Sequence, residues 1–138
     1  MTTLYVETSA VLAWLLDEPT AAEVRESVDS AETVVTSEIT WAEVERVVAR
    51  GESSGALRGA DAQKLRGCVA RQRAVWMSMA VSAAVLARTG RVFPMEPVRT
   101  PDALHLATAL EFTKAFPDLR ILTFDPRIAE NAVALGIG

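Results

Sequence analysis

Four acidic residues, Glu7, Glu43, Asp102 and Asp125, stand where their carboxylates could act together. Glu7 directly follows a short apolar run, Leu4-Tyr5-Val6, and Asp125 follows another, Ile121-Leu122-Thr123-Phe124. Each therefore sits where a short strand would end. Glu43 lies in a helical stretch: counting about 100° per residue from Ile39, it falls near 40°, between Ile39 and Val47 on the apolar stripe. Glu38, Glu45 and Arg46 fall outside that stripe, where solvated charges belong. A carboxylate on an apolar stripe needs a partner, because a buried charge is costly unless paired or metal-bound. Asp102 opens the helix that Thr100-Pro101 begins. Several carboxylates in close quarters cannot all stay ionised without cations. The chain has one histidine and one cysteine, so oxygen donors point to Mg²⁺ or Mn²⁺ over Zn²⁺.

Each acid also has an ordinary structural explanation. Glu43 could be an edge glutamate reaching water or an arginine. Asp102 would be favoured in a first helical turn by the helix dipole. Asp125 before Pro126 is a common N-cap followed by the first helical residue. Glu7 could be a polar residue where the chain leaves the sheet. The conjunction favours chemistry, since all four can meet at one crevice. His105, three residues past Asp102, reads as a packing or surface residue on another face of the helix.

The elements that would position these acids alternate. Leu4-Tyr5-Val6 and Thr33-Val34-Val35-Thr36 read as short buried strands, and Arg120 to Phe124 as the clearest one. Ser9 and Ser37 are expected to cap the helices that follow the first two, the first running through Leu16 to Pro19 and the second to about Arg50. A polar-faced helix is expected from Thr20 to about Ser30. Gly51 to Gly59 reads as a flexible loop. Helices are expected over Ala60–Arg73 and Trp76–Arg88, and from a Thr100 cap to about Phe116, with a last one from Pro126 to Gly136. Val92 to Met95 is too short and proline-broken for a strand. Strands alternating with helices indicate parallel βα units with helices on both faces, and such sheets place ligands at the carboxyl ends of their strands.

With 138 residues, half of them hydrophobic, the chain is expected to form one domain, 1–138, with a substantial core. No apolar stretch approaches the ~20 residues needed to cross a bilayer. Met1-Thr2-Thr3 lacks the basic start of a signal peptide. The lone Cys68 cannot form an internal disulfide and reads as helix packing, so a reducing cytoplasm is expected. The net charge of −4 argues against adhesion to nucleic acid through a basic surface, but not against an enzyme whose acids hold cations. No Gly-rich phosphate loop and no G-x-S-x-G elbow occurs.

Four segments resemble the PIN-domain proteins, specifically VapC-type toxins of toxin–antitoxin pairs. They are Leu4-Tyr5-Val6-Glu7-Thr8-Ser9-Ala10, Thr40-Trp41-Ala42-Glu43-Val44, Arg99-Thr100-Pro101-Asp102-Ala103-Leu104-His105-Leu106-Ala107 and Leu122-Thr123-Phe124-Asp125. The resemblance implies a three-layer α/β/α fold around a short-stranded parallel sheet of about five strands. It implies a metal-dependent endoribonuclease with a cognate antitoxin, commonly homodimeric. The family's four acids fall on Glu7, Glu43, Asp102 and Asp125, and its accompanying hydroxyls on Ser9 and Thr123. On this reading Glu7, Asp102 and Asp125 ligate Mg²⁺ or Mn²⁺, Glu43 supports them, and Ser9 and Thr123 orient carboxylates. The first acid is usually aspartate; glutamate here carries the carboxylate about 1.5 Å farther out.

Two other readings compete with an RNA-cleaving toxin. One is a catalytically weak PIN fold that mainly binds an antitoxin, with apolar Trp14, Leu15 and Leu16 in the groove. The other is a phospho-acceptor signalling domain, which needs a lysine after the last strand where this chain has Phe124-Asp125-Pro126-Arg127.

Overall fold

The computed structural model describes residues 2–138. Four short strands, β1 (Thr3–Val6), β2 (Thr33–Ser37), β3 (Met77–Met79) and β4 (Arg120–Leu122), form a wholly parallel sheet in the order β3-β2-β1-β4. The helices are α1 (Thr8–Leu15), α2 (Ala21–Ser30), α3 (Glu38–Ser54), α4 (Gly59–Val75), α5 (Ala83–Thr89), α6 (Thr100–Thr113) and α7 (Pro126–Ala134).

Side chains alternate across a strand, and β1 shows what this builds. Val6 packs with Val11, Val24, Trp41, Val44, Val69 and Trp76 from the α1–α4 side. Its neighbour Tyr5 packs with Phe112, Leu119 and Ala132 from the α6–α7 side. A third cluster joins Phe93, Ala103, Leu106 and Ile128. Helices thus cover both faces of the sheet, as the parallel βα reading requires. From β1 the chain crosses to β2 on one side, and β4 adds on the other. This reversal opens a crevice at the carboxyl ends of β1 and β4.

Among the described residues the sheet has four strands rather than about five. Gly136 turns at φ 79°, and the following Ile137 is buried beside β4. One backbone bond, from Ile121 N to Ile137 O at 2.8 Å, links the two segments.

The expected helix over Trp76–Arg88 is instead β3 followed by α5. Trp76 leaves α4 with extended backbone, Ser78 accepts the indole N–H of Trp41 at 2.8 Å, and Ser82 caps α5 through Val85 N. A three-residue strand carries too little periodicity to interrupt a helical pattern. The loop expected from Gly51 to Gly59 is shorter, because α3 runs on to Ser54 and turns at Gly55 in the left-handed region, φ 81°. Gly51 lies inside the helix, and a Cβ there would meet the Leu57 side chain at 2.7 Å. Ser37 caps α3 as expected, accepting from Ile39 N. Thr100 does not cap α6: Arg99 holds the cap position without a side-chain bond, and Thr100 and Pro101 are already helical.

Candidate active site

Glu7 leaves β1 with extended backbone and is the N-cap of α1, accepting from Ser9 N. This corrects the expectation that Ser9 caps the helix: Ser9 lies in the first turn and is itself a donor to the cap. N-caps are usually shorter residues; here the extra methylene of glutamate lets the side chain fold back over the helix start. Its Oε2 accepts from Ser9 N at 2.9 Å, from the Ser9 hydroxyl and from the Thr123 hydroxyl at 2.8 Å. The β1–β4 register, Val6 opposite Leu122, sets Glu7 beside Thr123, and Glu7 N bonds Leu122 O at 3.0 Å. Ser9 and Thr123 in turn accept from Phe124 N and Asp125 N. Glu7 is 5% exposed, a buried acid compensated by three donors on one oxygen.

Glu43 projects from α3 towards α1 and α6. Its Oε1 is 2.7 Å from the Thr8 hydroxyl and 2.7 Å from His105 Nε2. Burial raises the Glu43 carboxyl, but the hydrogen bonds from His105 and Thr8 outweigh it, leaving the pKa lowered. The sequence reading missed the role of His105. It is 1% exposed, hydrogen-bonded to Tyr5 through Nδ1 at 2.8 Å, and 3.9 Å from Glu7 Oε1. Residues three apart on a helix are neighbours about 60° apart, not on unrelated faces. A polar ring flanked by Leu104, Leu106 and Ala107 should also have signalled a buried partner. Tyr5 and Thr8, the other members of this network, read in sequence only as strand and helix-start residues.

Asp102 stands in the first turn of α6 and Asp125 caps α7 through Ile128 N at 3.0 Å. The Asp102 carboxyl is raised above its ordinary range by partial burial and then by the negative charges of Asp125, Glu7 and Glu43. The fold thus brings all four acids into one electrostatic neighbourhood. Asp102 accepts no hydrogen bond and forms no ion pair among the described residues.

Cavities flank the acids on two sides. One of about 450 Å³ is bordered by Thr8, Leu12, Glu43, Val47, Arg46 and Arg50; the other, about 390 Å³, by Arg99, Asp102, Asp125 and Arg127. Arg46, Arg50 and Arg99 are exposed. Trp14 stacks on Trp76 with centroids 6.2 Å apart, and Leu15 packs against the same cluster. Leu16 is 38% exposed. Of the three apolar groove candidates, two therefore spend their surface largely on the core. Cys68 is partly exposed on α4 and accepts from Arg71 at 3.1 Å.

Among the described residues no three acidic, histidine or cysteine side chains stand close enough to hold a metal ion as arranged. The donor set nevertheless fits a hard divalent cation in kind, being carboxylate oxygens. It also fits in charge, because the acids repel one another at Asp102. No helix of the described residues is long and apolar enough to cross a membrane.

This fold, a short-stranded parallel sheet covered by helices on both faces with four acids in one electrostatic neighbourhood, is a small α/β domain. The PIN domain family profile matches residues 4–134, and the chain belongs to that family. Among solved structures it is similar to the Mycobacterium tuberculosis toxin VapC20, described as cleaving the sarcin–ricin loop. That match has 16% identity and a TM-score of 0.65, and covers 98% of this chain and 96% of that one. It is also similar to VapBC2 from Rickettsia felis, a structure bound to a promoter DNA fragment. There the identity is 14% and the TM-score 0.57, with coverage of 89% and 99% respectively. No curated protein matches the sequence significantly.

Proposed function

We propose that this PIN-domain protein is a Mg²⁺- or Mn²⁺-dependent endoribonuclease, the toxin of a toxin–antitoxin pair, that hydrolyses RNA phosphodiester bonds with an activated water. One observation carries the reading: partial burial, and then the negative charges of Asp125, Glu7 and Glu43, hold the Asp102 carboxyl above its ordinary range, so the four acids lie in one electrostatic neighbourhood. The likeness to VapC20 and VapBC2 and the motifs around the four acids support the toxin assignment.

Glu7, Asp102 and Asp125 would hold the cation, with Glu43 supporting from α3. Glu7 has Oε1 to offer, since Oε2 is taken by Ser9 and Thr123. Asp125 has Oδ2, since Oδ1 caps α7. A divalent ion, when bound, lowers the pKa of water and neutralises charge on the phosphate. Ser9 and Thr123 fix the Glu7 carboxylate by hydrogen bonding, the role outer partners commonly serve at metal sites. Arg46, Arg50 and Arg99 stand on either side of the acids and complement a phosphate backbone running past them. The toxin reading carries with it a cytoplasmic site of action, a cognate antitoxin and a homodimer.

RNA cleavage assayed with Mg²⁺ or Mn²⁺, with EDTA, and with Asp102→Asn as control tests this reading. Cleavage that is metal-dependent and lost in Asp102→Asn supports it; equal cleavage by the variant overturns it. A second reading, a catalytically weak PIN fold that chiefly binds an antitoxin, is favoured by one feature. Glu7 spends an oxygen on capping α1 and bonding Thr123. Restoration of strong cleavage from none by Glu7→Asp would favour that reading.

A further inference from the structure

We propose that His105 is the positioning residue for Glu43, fixed by Tyr5 as the tautomer with its proton on Nε2, so that Glu43 is left a single free oxygen, Oε2. The proposal rests on the nuclease reading for its consequence, but not for its geometry.

The proton positions follow from the hydrogen-bond partners. Tyr5 is fully buried, so its hydroxyl proton must be donated within the protein. An ordinary phenol keeps that proton at neutral pH. The side-chain hydrogen bond of good geometry that the phenol makes is the one to His105 Nδ1 at 2.8 Å, and that nitrogen receives the Tyr5 proton. A neutral imidazole whose Nδ1 accepts carries its proton on Nε2. That nitrogen lies 2.7 Å from Glu43 Oε1 and donates to it.

Thr8 donates to the same oxygen at 2.7 Å. The 3.1 Å separation of Thr8 Oγ1 from His105 Nε2 is then the approach of two donors sharing one acceptor. Oε1 is fully committed, and the glutamate on an otherwise long, flexible stem is held from two helices. Three elements contribute: β1 supplies Tyr5, α1 supplies Thr8 and α6 supplies His105. Thr8 and His105 bond Glu43 of α3 directly, and Tyr5 acts through His105.

The chain has a single histidine, so ¹⁵N-histidine labelling gives one pair of ring-nitrogen signals. The expected spectrum of the metal-free protein shows a protonated Nε2 and a bare, hydrogen-bonded Nδ1. Tyr5→Phe should shift the Nδ1 signal and populate the other tautomer. A protonated Nδ1 in the unmodified protein overturns the proposal. Mn²⁺ titration supplies a second reading. His105→Leu is expected to weaken Mn²⁺ binding, and to slow RNA cleavage at unchanged KM, by about 10–100-fold, the usual cost of losing an outer partner. His105→Gln, whose amide can still donate near the Nε2 position, should recover most of that loss. Equal losses in the Gln and Leu variants, with both folded, overturn the positioning role. If His105→Leu does not fold, the comparison of Tyr5→Phe with the unmodified protein decides it by the same Mn²⁺ titration. If the unmodified protein cleaves no RNA, the nuclease reading fails while the nitrogen spectrum and the Mn²⁺ titration still decide this one.

Discussion

Thr123, just beyond β4, donates its hydroxyl to Glu7 Oε2 at 2.8 Å and so ties the carboxyl end of β4 to the start of α1. The bond crosses the strand pair at the point where the crevice opens. It does two jobs at once, satisfying a buried carboxylate and setting which of its oxygens remains free.

Thr123→Val keeps the shape and removes the donor. One lost hydrogen bond to a buried charged group costs about 1–2 kcal/mol, a fall in Tm of roughly 3–8 °C for a domain of this size. Metal-dependent cleavage should drop about 10-fold as the Glu7 carboxylate is freed to rotate. Thermal unfolding and a cleavage time course check both. An unchanged Tm would mean that Ser9 alone suffices to hold Glu7.

Asp102→Asn should make the metal-free protein more stable while abolishing cleavage. The carboxyl is raised by burial and by Asp125, Glu7 and Glu43, so its charged form is disfavoured in the fold. The group is only partly buried, and solvent screening limits the gain to a few tenths of a kcal/mol, about 1–2 °C in Tm. The sign with pH follows from linkage. Asp102 binds its proton more tightly folded than unfolded, so its penalty is absent below the ordinary value of 3.8 and grows as pH rises through the raised folded value. The Tm difference between the variant and the unmodified protein should therefore be present at pH 7 and vanish near pH 3. Mg²⁺ should raise the Tm of the unmodified protein and have less effect on the variant, because a ligand that binds only the folded state stabilises it.

Glu43 should behave with the opposite sign. Its carboxyl is lowered despite burial, because His105 and Thr8 hydrogen-bond the charged form. Its contribution is fully present above the ordinary value of 4.5 and is lost as pH falls through the lower folded value. Glu43→Gln is expected to lower Tm at pH 7 and to cost less as pH falls below 4.5. A cost independent of pH would show that the charge of Glu43 is not what its partners stabilise.

Much of this was legible in the sequence, for reasons particular residues make plain. Leu4-Tyr5-Val6 and the Asp125-Pro126 cap are local signals, and both appear where their chemistry puts them. The apolar stripe of α3 put Glu43 on a half-buried face of the helix, because helical period is carried by many residues at once. β3 was not legible: Met77–Met79 is strand only because β2 lies open beside it, with Val35 opposite Met77. For His105 the apolar flanks carried a signal of burial, but its partners did not show: Tyr5 and Glu43 are 100 and 62 residues away, and no local pattern encodes contacts that only the packing of α6 against the sheet creates. The capping of α1 by Glu7 rather than Ser9 also depends on Thr123 arriving from the far end of the chain.

Arg46 and Arg50 border the cavity next to Glu43, while the protein as a whole carries a net charge of −4. Attraction of an RNA backbone must then be local, because the overall field repels it. Replacing both arginines by alanine should weaken RNA binding across sequences without altering which bond is cut, since phosphate contacts position rather than specify. Each phosphate contact contributes about one unit to the slope of log affinity against log salt. The double variant should therefore flatten that slope by about two, with stability little changed because both side chains are exposed. Filter binding of a single-stranded RNA to catalytically silent Asp102→Asn, with and without the two substitutions and over a range of KCl, measures the slope directly. An unaltered slope would remove this cavity from the path of the RNA and leave Arg99, on the far side of the acids, as the arm that guides it.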